Sequence, residues 1–186
     1  KELTALIGVP QNPKYHPEGD AYVHTMFVLR AAAEMKEAAE RPLDLMFAAL
    51  VHDLGKAVTT TQDEKGDYHS YEHEIAGIPL LRAMLARIGA GKETTAYCEN
   101  MCRLHMRTHV CCYNHSREGR TNLLFDESVC PHDLVLLAVS DARGKGGRSE
   151  KSDDEERFLT ERLAVYEKAV SKPMPSGDML IARGMK

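Results

Sequence analysis

The sequence has no tryptophan, only 6% aromatic residues and no apolar run of membrane-spanning length. Stretches such as Leu134 to Val139 fall far short of the roughly 20 residues a spanning helix needs. No signal peptide opens the chain, so no membrane role is expected. A basic surplus is missing too: 24 Lys and Arg stand against 28 Asp and Glu, for a net charge of −4. That excludes a uniformly basic nucleic-acid glove and leaves only a local patch for RNA contact. The five cysteines are odd in number and lack the spacing of a disulfide framework, which points to a reducing compartment and a cytoplasmic protein. What the chain does have is 43% hydrophobic residues over 186 positions, enough for one domain with a sizeable core and too much for disorder. It also has nine histidines, the one surplus in its composition.

Helical periodicity runs through most of the chain. Residues 1–20 hold Gly8, Pro10, Pro13, Pro17 and Gly19 and read as a lead-in segment. Asp20 is a fitting N-cap for a helix of roughly 18 residues. A second helix starts at Pro42, a good first helical residue, and has Gly55 as its stop. Polar residues 57–68 form a loop. A third helix spans Tyr71 to Ile88, with a kink or break at Pro79. A fourth covers Lys92 to His109, and a short one follows near Asn122–Glu127. Pro131 opens a fifth main helix through Asp141, Gly144 to Gly147 make a flexible loop, and a last helix fills Asp154 to Val170. No segment alternates with period 2. The expectation is an all-α helical bundle over residues 21–172, with 173–186 beginning a further segment that is cut short.

Histidine and carboxylate recur where such a bundle can aim them inward. His24 lies one turn into the first long helix, the doublet His52-Asp53 ends the second, and Asp141 ends the fifth. His73, His105 and His109 lie on the third and fourth. Imidazole and carboxylate together suit a divalent ion such as zinc, nickel, manganese, cobalt, iron or magnesium. Taken singly, each residue has a plainer reading. His24 is then a hydrogen-bonded core histidine, and Asp141 merely begins a loop. An aspartate at a helix C-terminus opposes the helix dipole, however, and a bound cation would account for it. Cys98, Cys102, His105 and His109 imitate a zinc-finger spacing, but on one straight helix the outer two stand about 16 Å apart along the axis, too far for one ion. The cysteines are expected to be core residues.

The order His24, His52-Asp53, Asp141 resembles the HD superfamily of metal-dependent phosphohydrolases. The runs Gln11-Asn12-Pro13-Lys14-Tyr15-His16-Pro17-Glu18-Gly19-Asp20, Ala48-Ala49-Leu50-Val51-His52-Asp53-Leu54-Gly55-Lys56 and Asp141-Ala142-Arg143-Gly144-Lys145-Gly146-Gly147 are similar to the HD domain of bacterial CCA-adding tRNA nucleotidyltransferases, as is Ser176-Gly177-Asp178-Met179-Leu180. The acidic nucleotidyltransferase head of that family is absent from these residues. The resemblance implies one divalent ion on His24, His52, Asp53 and Asp141, with His73 and His105 lining the pocket or holding a second ion, and His109 a poorer choice. It implies hydrolysis of 2′,3′-cyclic phosphates, 2′-nucleotides or phosphate monoesters, with nucleotide or RNA-end phosphates and tRNA as partners. Lys56, one turn past the doublet, is the expected phosphate clamp or else a lysine complementing a helix C-terminus; Arg143 is a second phosphate or RNA contact. His69 is a further lining residue, and His16, His115 and His132 are loop or surface residues. Two other readings stay open: a tRNA-positioning module, with Arg82, Arg87, Arg107, Lys145 and Arg148 among its contacts, and an HD-type nucleoside 5′-monophosphatase.

Overall fold

In the computed structural model, which describes residues 1–172, Asp20 is indeed the first helix cap. Its Oδ1 accepts from Val23 N at 2.8 Å, and its Oδ2 accepts from Gly8 N at 2.7 Å, which ties the lead-in segment to the bundle. The chain then forms α1 (Ala21–Met35), α2 (Pro42–Val51), α3 (Lys56–Thr59), strands β1 (Thr61–Gln62) and β2 (Tyr68–His69), α4 (His73–Arg87), α5 (Lys92–Tyr113), α6 (Glu118–Glu127), α7 (Pro131–Gly144) and α8 (Glu150–Val170). The architecture is all-α, as expected, apart from that two-stranded hairpin. The expected segment 173–186, with Ser176 to Leu180, lies outside the described residues. None of the described helices is long and apolar enough to cross a membrane.

α1 packs along α7, α2 lies against α1 and α5, and α4 packs on α5. Leu45, Ala48, Leu54, Leu81, Leu85, Met101, Leu104, Leu134 and Leu137 fill the shared core, each 1% exposed or less. A second cluster, Phe125, Val135, Ala138, Leu159 and Leu163, seats α8 against α7 and α6. The start of α2 is fixed by a buried carboxylate on α7. Asp133 accepts the backbone N–H of Glu40 at 2.8 Å and of Arg41 at 3.0 Å, and the Tyr97 hydroxyl from α5 at 2.8 Å.

Several boundaries differ from the periodicity. α2 ends at Val51, so His52-Asp53 sits in the turn between α2 and α3, and Lys56 opens α3 instead of closing α2. Gly55 is therefore no helix stop; its φ is −64°. It is there because the turn comes hard against α4: a Cβ at Gly55 would stand 1.9 Å from the His73 carbonyl oxygen and 2.7 Å from Gly77 N. Gly144, expected in a flexible loop, is the buried end of α7. A Cβ there would meet Val28 Cγ2 at 2.5 Å, so its lack of a side chain lets α7 approach α1 beside His24. α4 runs unbroken through Pro79, α5 extends to Tyr113, and α8 starts at Glu150 with a Ser149–Ser152 capping box.

Candidate metal centre

The four expected ligands converge. His24 Nε2 lies 3.0 Å from Asp141 Oδ1 and 3.5 Å from Asp53 Oδ2, and His52 Nε2 lies 3.3 Å from the same Asp53 oxygen. The other Asp53 oxygen faces the next two histidines: Oδ1 is 3.1 Å from His73 Nε2 and 3.7 Å from His105 Nε2. Asp53 is shared by two donor triads, His24/His52/Asp53 and Asp53/His73/His105, and a third, His16/Glu18/His24, adjoins them; in each all three atoms lie within 4.8 Å of one another. Helix packing brings them together: α1 and α7 are in contact along Gly144, and the Gly55 turn presses Asp53 towards the first residue of α4.

The donor atoms suit a cation. His52 Nδ1 pairs with the Ala49 carbonyl at 2.9 Å, His73 Nδ1 with that of Ser70 at 2.7 Å, and His105 Nδ1 with that of Cys102 at 2.6 Å. A ring nitrogen facing a carbonyl must carry a proton, so in the neutral imidazole each Nε2 is a lone pair aimed inward, as metal-bound histidines are oriented; without an ion, His73 and His105 share one Nε2–Nε2 hydrogen bond at 3.2 Å. His24 Nε2, His52 Nε2, Asp53 Oδ2 and Asp141 Oδ1 are buried without a hydrogen-bond partner. Buried polar groups left so are costly unless something satisfies them, and a divalent ion would satisfy all four.

Charge is balanced locally. Burial works against ionised Asp53, but His52 and Lys56 outweigh it and hold the carboxyl well below its usual range. Asp141 behaves alike: burial opposes, and Lys145 and His109 prevail. For His24, burial is outweighed by Asp141 and Glu18, and for His73 by Asp53, so both imidazoles are pushed up. His105 is driven well down by burial and by neighbouring His52, and stays neutral.

The family model for the HD domain matches residues 21–143, from the start of α1 to Arg143. This chain belongs to the HD domain family. It is similar to proteins called multifunctional CCA protein: 37% identical over 85% of the chain in Hahella chejuensis, 31% over 92% in Alkalilimnicola ehrlichii and 32% over 85% in Mannheimia succiniciproducens. The matched region is 37%, 41% and 38% of those relatives, so the chain spans about two-fifths of their length.

Around the HD doublet, other expected residues take different places. Lys56 is at the centre: its Nζ is 2.7 Å from Asp53 Oδ2 and donates to Gln11 Oε1 at 2.7 Å. Arg143 does not join the cluster. It donates to Glu156 Oε2 on α8 at 2.7 Å and contacts Met35. Lys145, not Arg143, is the basic residue beside the cluster, with Nζ 3.2 Å from Asp141 Oδ1. Helix spacing held the clue, since residues 141 and 145 are i,i+4 on one face and 143 is not. His109 reaches Asp141 Oδ2 at 2.5 Å and Glu155 on its other side, so it orients Asp141 and joins none of the triads. Glu18 was missed because Pro17 and Gly19 mark its surroundings as loop. It sits 2.7 Å from His24 Nδ1 and 2.8 Å from His16 Nδ1, which places the loop residue His16 at the edge of the centre. Cys98 and Cys102 are buried on α5; Cys102 Sγ donates to the His52 carbonyl at 3.2 Å, and burial pushes the Cys98 thiol up to about 12. Arg82, Arg87, Arg107 and Arg148, candidates for an RNA face, are paired with Glu99, Glu2, Glu127 and Asp153.

Proposed function

We propose that this HD domain is a metal-dependent phosphohydrolase of 2′,3′-cyclic phosphates, 2′-nucleotides or phosphate monoesters, acting in the cytoplasm at tRNA 3′ ends. The lone pairs of three histidines, each fixed by a carbonyl behind it and aimed at Asp53, support this reading most directly. His24, His52, Asp53 and Asp141 would hold the ion, and His73 and His105 offer a second set on the other face of Asp53. A divalent ion bound there supplies the Lewis acidity that lets water attack phosphorus near neutral pH. The protein's own contribution is positional. Asp53, His73 and Asp141 line a cavity of about 350 Å³, with Lys56 and Lys145 beside them. Lys56 Nζ, held 2.7 Å from both Asp53 Oδ2 and Gln11 Oε1, is placed at the cavity wall to donate to a phosphate oxygen as well. Lys145 remains protonated: burial opposes its charge, and Asp141 and Glu155 outweigh it. Together they offset the negative charge that builds as the water oxygen bonds to phosphorus, the ester P–O bond breaks and the leaving oxygen takes up a proton.

The test is hydrolysis by chelator-stripped protein resupplied separately with nickel, manganese, cobalt, zinc or magnesium. Metal-restored turnover of 2′,3′-cyclic AMP and 2′-AMP is expected. Preference for 5′-dAMP would make the protein a 5′-nucleotidase, and silence on every substrate with metal bound would leave a tRNA-positioning role.

Metal binding should also depend on pH in a definite direction. The raised His24 and His73 stabilise the metal-free fold below their unfolded pKa of about 6.5, and that contribution fades as pH rises through their higher folded values. An ion needs the same nitrogens unprotonated, so below the folded values its affinity should fall about tenfold per pH unit for each proton it displaces. The rise in thermal midpoint on adding metal is therefore expected to be larger at pH 8 than at pH 6, and a rise independent of pH would show that these imidazoles do not bind the ion.

A further inference from the structure

The tract between α3 and α4 carries no recognisable motif, yet it folds into a braced structure at the mouth of the metal cavity. Thr61 pairs with His69 and Gln62 with Tyr68 in the β1–β2 hairpin. Asp63 organises the turn: its Oδ1 accepts the backbone N–H of Lys65 and of Asp67, both at 2.9 Å, and Gly66 takes the left-handed conformation at φ 88°. Asn12 donates to Asp67 at 3.1 Å, and the Thr60 and Ser70 hydroxyls share a 2.8 Å hydrogen bond, so the hairpin is tied to the body.

The second Asp63 oxygen, Oδ2, lies 3.0 Å from His69 Nε2. The His69 ring, held this way, lies flat against Tyr71, with centroids 5.2 Å apart and planes inclined by 7°. Tyr71 is 73% exposed, so its ring is covered on the His69 side and open on the other. Glu72 follows in a left-handed conformation, φ 55°, which a residue with a side chain adopts only at a cost and which tends to mark functional sites. That turn lets Tyr71 and His73, two residues apart, line one cavity, the former on its rim and the latter among the candidate ligands.

Packing does not explain an exposed, stacked and braced aromatic ring in such a place, because Tyr71 buries little area. A ring face open to solvent beside a cationic phosphate site matches the two ends of a nucleotide. Aromatic faces stack on any base, and the phosphate belongs with Lys56 and Lys145.

We infer that the outer face of Tyr71 is a base-stacking platform, on which the terminal nucleobase of the substrate lies while its phosphate occupies the metal cavity. Asp63 and His69 are its positioning residues. The inference rests on the phosphohydrolase reading, and the experiment separates the two. Tyr71→Ala and Tyr71→Phe are compared with the 186-residue parent, each loaded with the most active metal, on adenosine 2′-phosphate and on glycerol 2-phosphate, which has no base. Stacking is worth about 1–3 kcal/mol per base, so the kcat/KM preference for the nucleotide should fall about tenfold in Tyr71→Ala, mainly through KM, and be kept in Tyr71→Phe. Equal losses on both substrates, or an unchanged preference, would overturn the platform. If the parent turns over neither substrate, the hydrolase reading fails, and calorimetric titration of the metal-loaded protein still tests the platform. Adenosine 2′-phosphate should then bind about tenfold more tightly than inorganic phosphate, an advantage lost in Tyr71→Ala; no such advantage in the parent would refute the inference.

Discussion

Asp53→Asn should lower hydrolysis of 2′,3′-cyclic AMP by at least about a thousandfold. Lewis-acid stabilisation is worth several kcal/mol, and each 1.36 kcal/mol is a factor of ten in rate. The substitution keeps the shape of the side chain and removes the charge shared by two donor triads. It also deprives the buried Lys56 of its carboxylate partner at 2.7 Å, so some loss of stability is expected alongside. Thermal melts separate the two effects. Ligands that bind the folded state raise its midpoint, so metal should stabilise the parent and leave Asp53→Asn unmoved. A variant that still gains stability from metal and still hydrolyses the substrate would show that Asp53 is not a ligand.

Gly55→Ala should cost at least about 3 kcal/mol, at the upper end of what overpacking does, because both obstructing groups are main chain. A methyl group 1.9 Å from the His73 carbonyl oxygen cannot be accommodated by a side-chain rotation. Either the doublet turn lifts from α4 or α4 moves, and both separate Asp53 from His73. The expected result is a thermal midpoint lower by on the order of 10 °C, with weakened metal binding. Gly119→Ala is the contrast. That glycine lies exposed in α6 with nothing within 4 Å of an added Cβ, and the change should stabilise by about 0.5–1 kcal/mol, since alanine favours a helix. Equal effects at the two glycines would rule out close approach as the reason for Gly55.

Much of this was legible in the residues. Asp20, Pro42 and Pro131 mark helix starts by local chemistry alone, and all three helices begin there. His24, His52, Asp53 and Asp141 could be grouped because each sits on an element able to face a common point. The remainder depends on tertiary structure. Strands of two residues have no period to detect, so the hairpin was invisible. Gly55 imitates a helix stop, and only the nearness of α4 reveals its purpose. Lys145 and Glu18 were obscured by neighbouring glycine and proline, which read as linker whatever the side chain between them does.

Asp133 gives α2, which leads into the His52-Asp53 turn, and α7, which carries Asp141, an unequal architecture. At one end it ties the residues just before α2 to α7 through two hydrogen bonds, from the Glu40 and Arg41 N–H groups, and takes a third from Tyr97 on α5. His52, at the C-cap of α2, and Asp141, eight residues along α7, lie about 12–15 Å further on, at 1.5 Å rise per residue. The pair resembles tongs: the pivot is made of hydrogen bonds to Asp133, and the jaws carry the carboxylates and imidazole proposed to hold a cation.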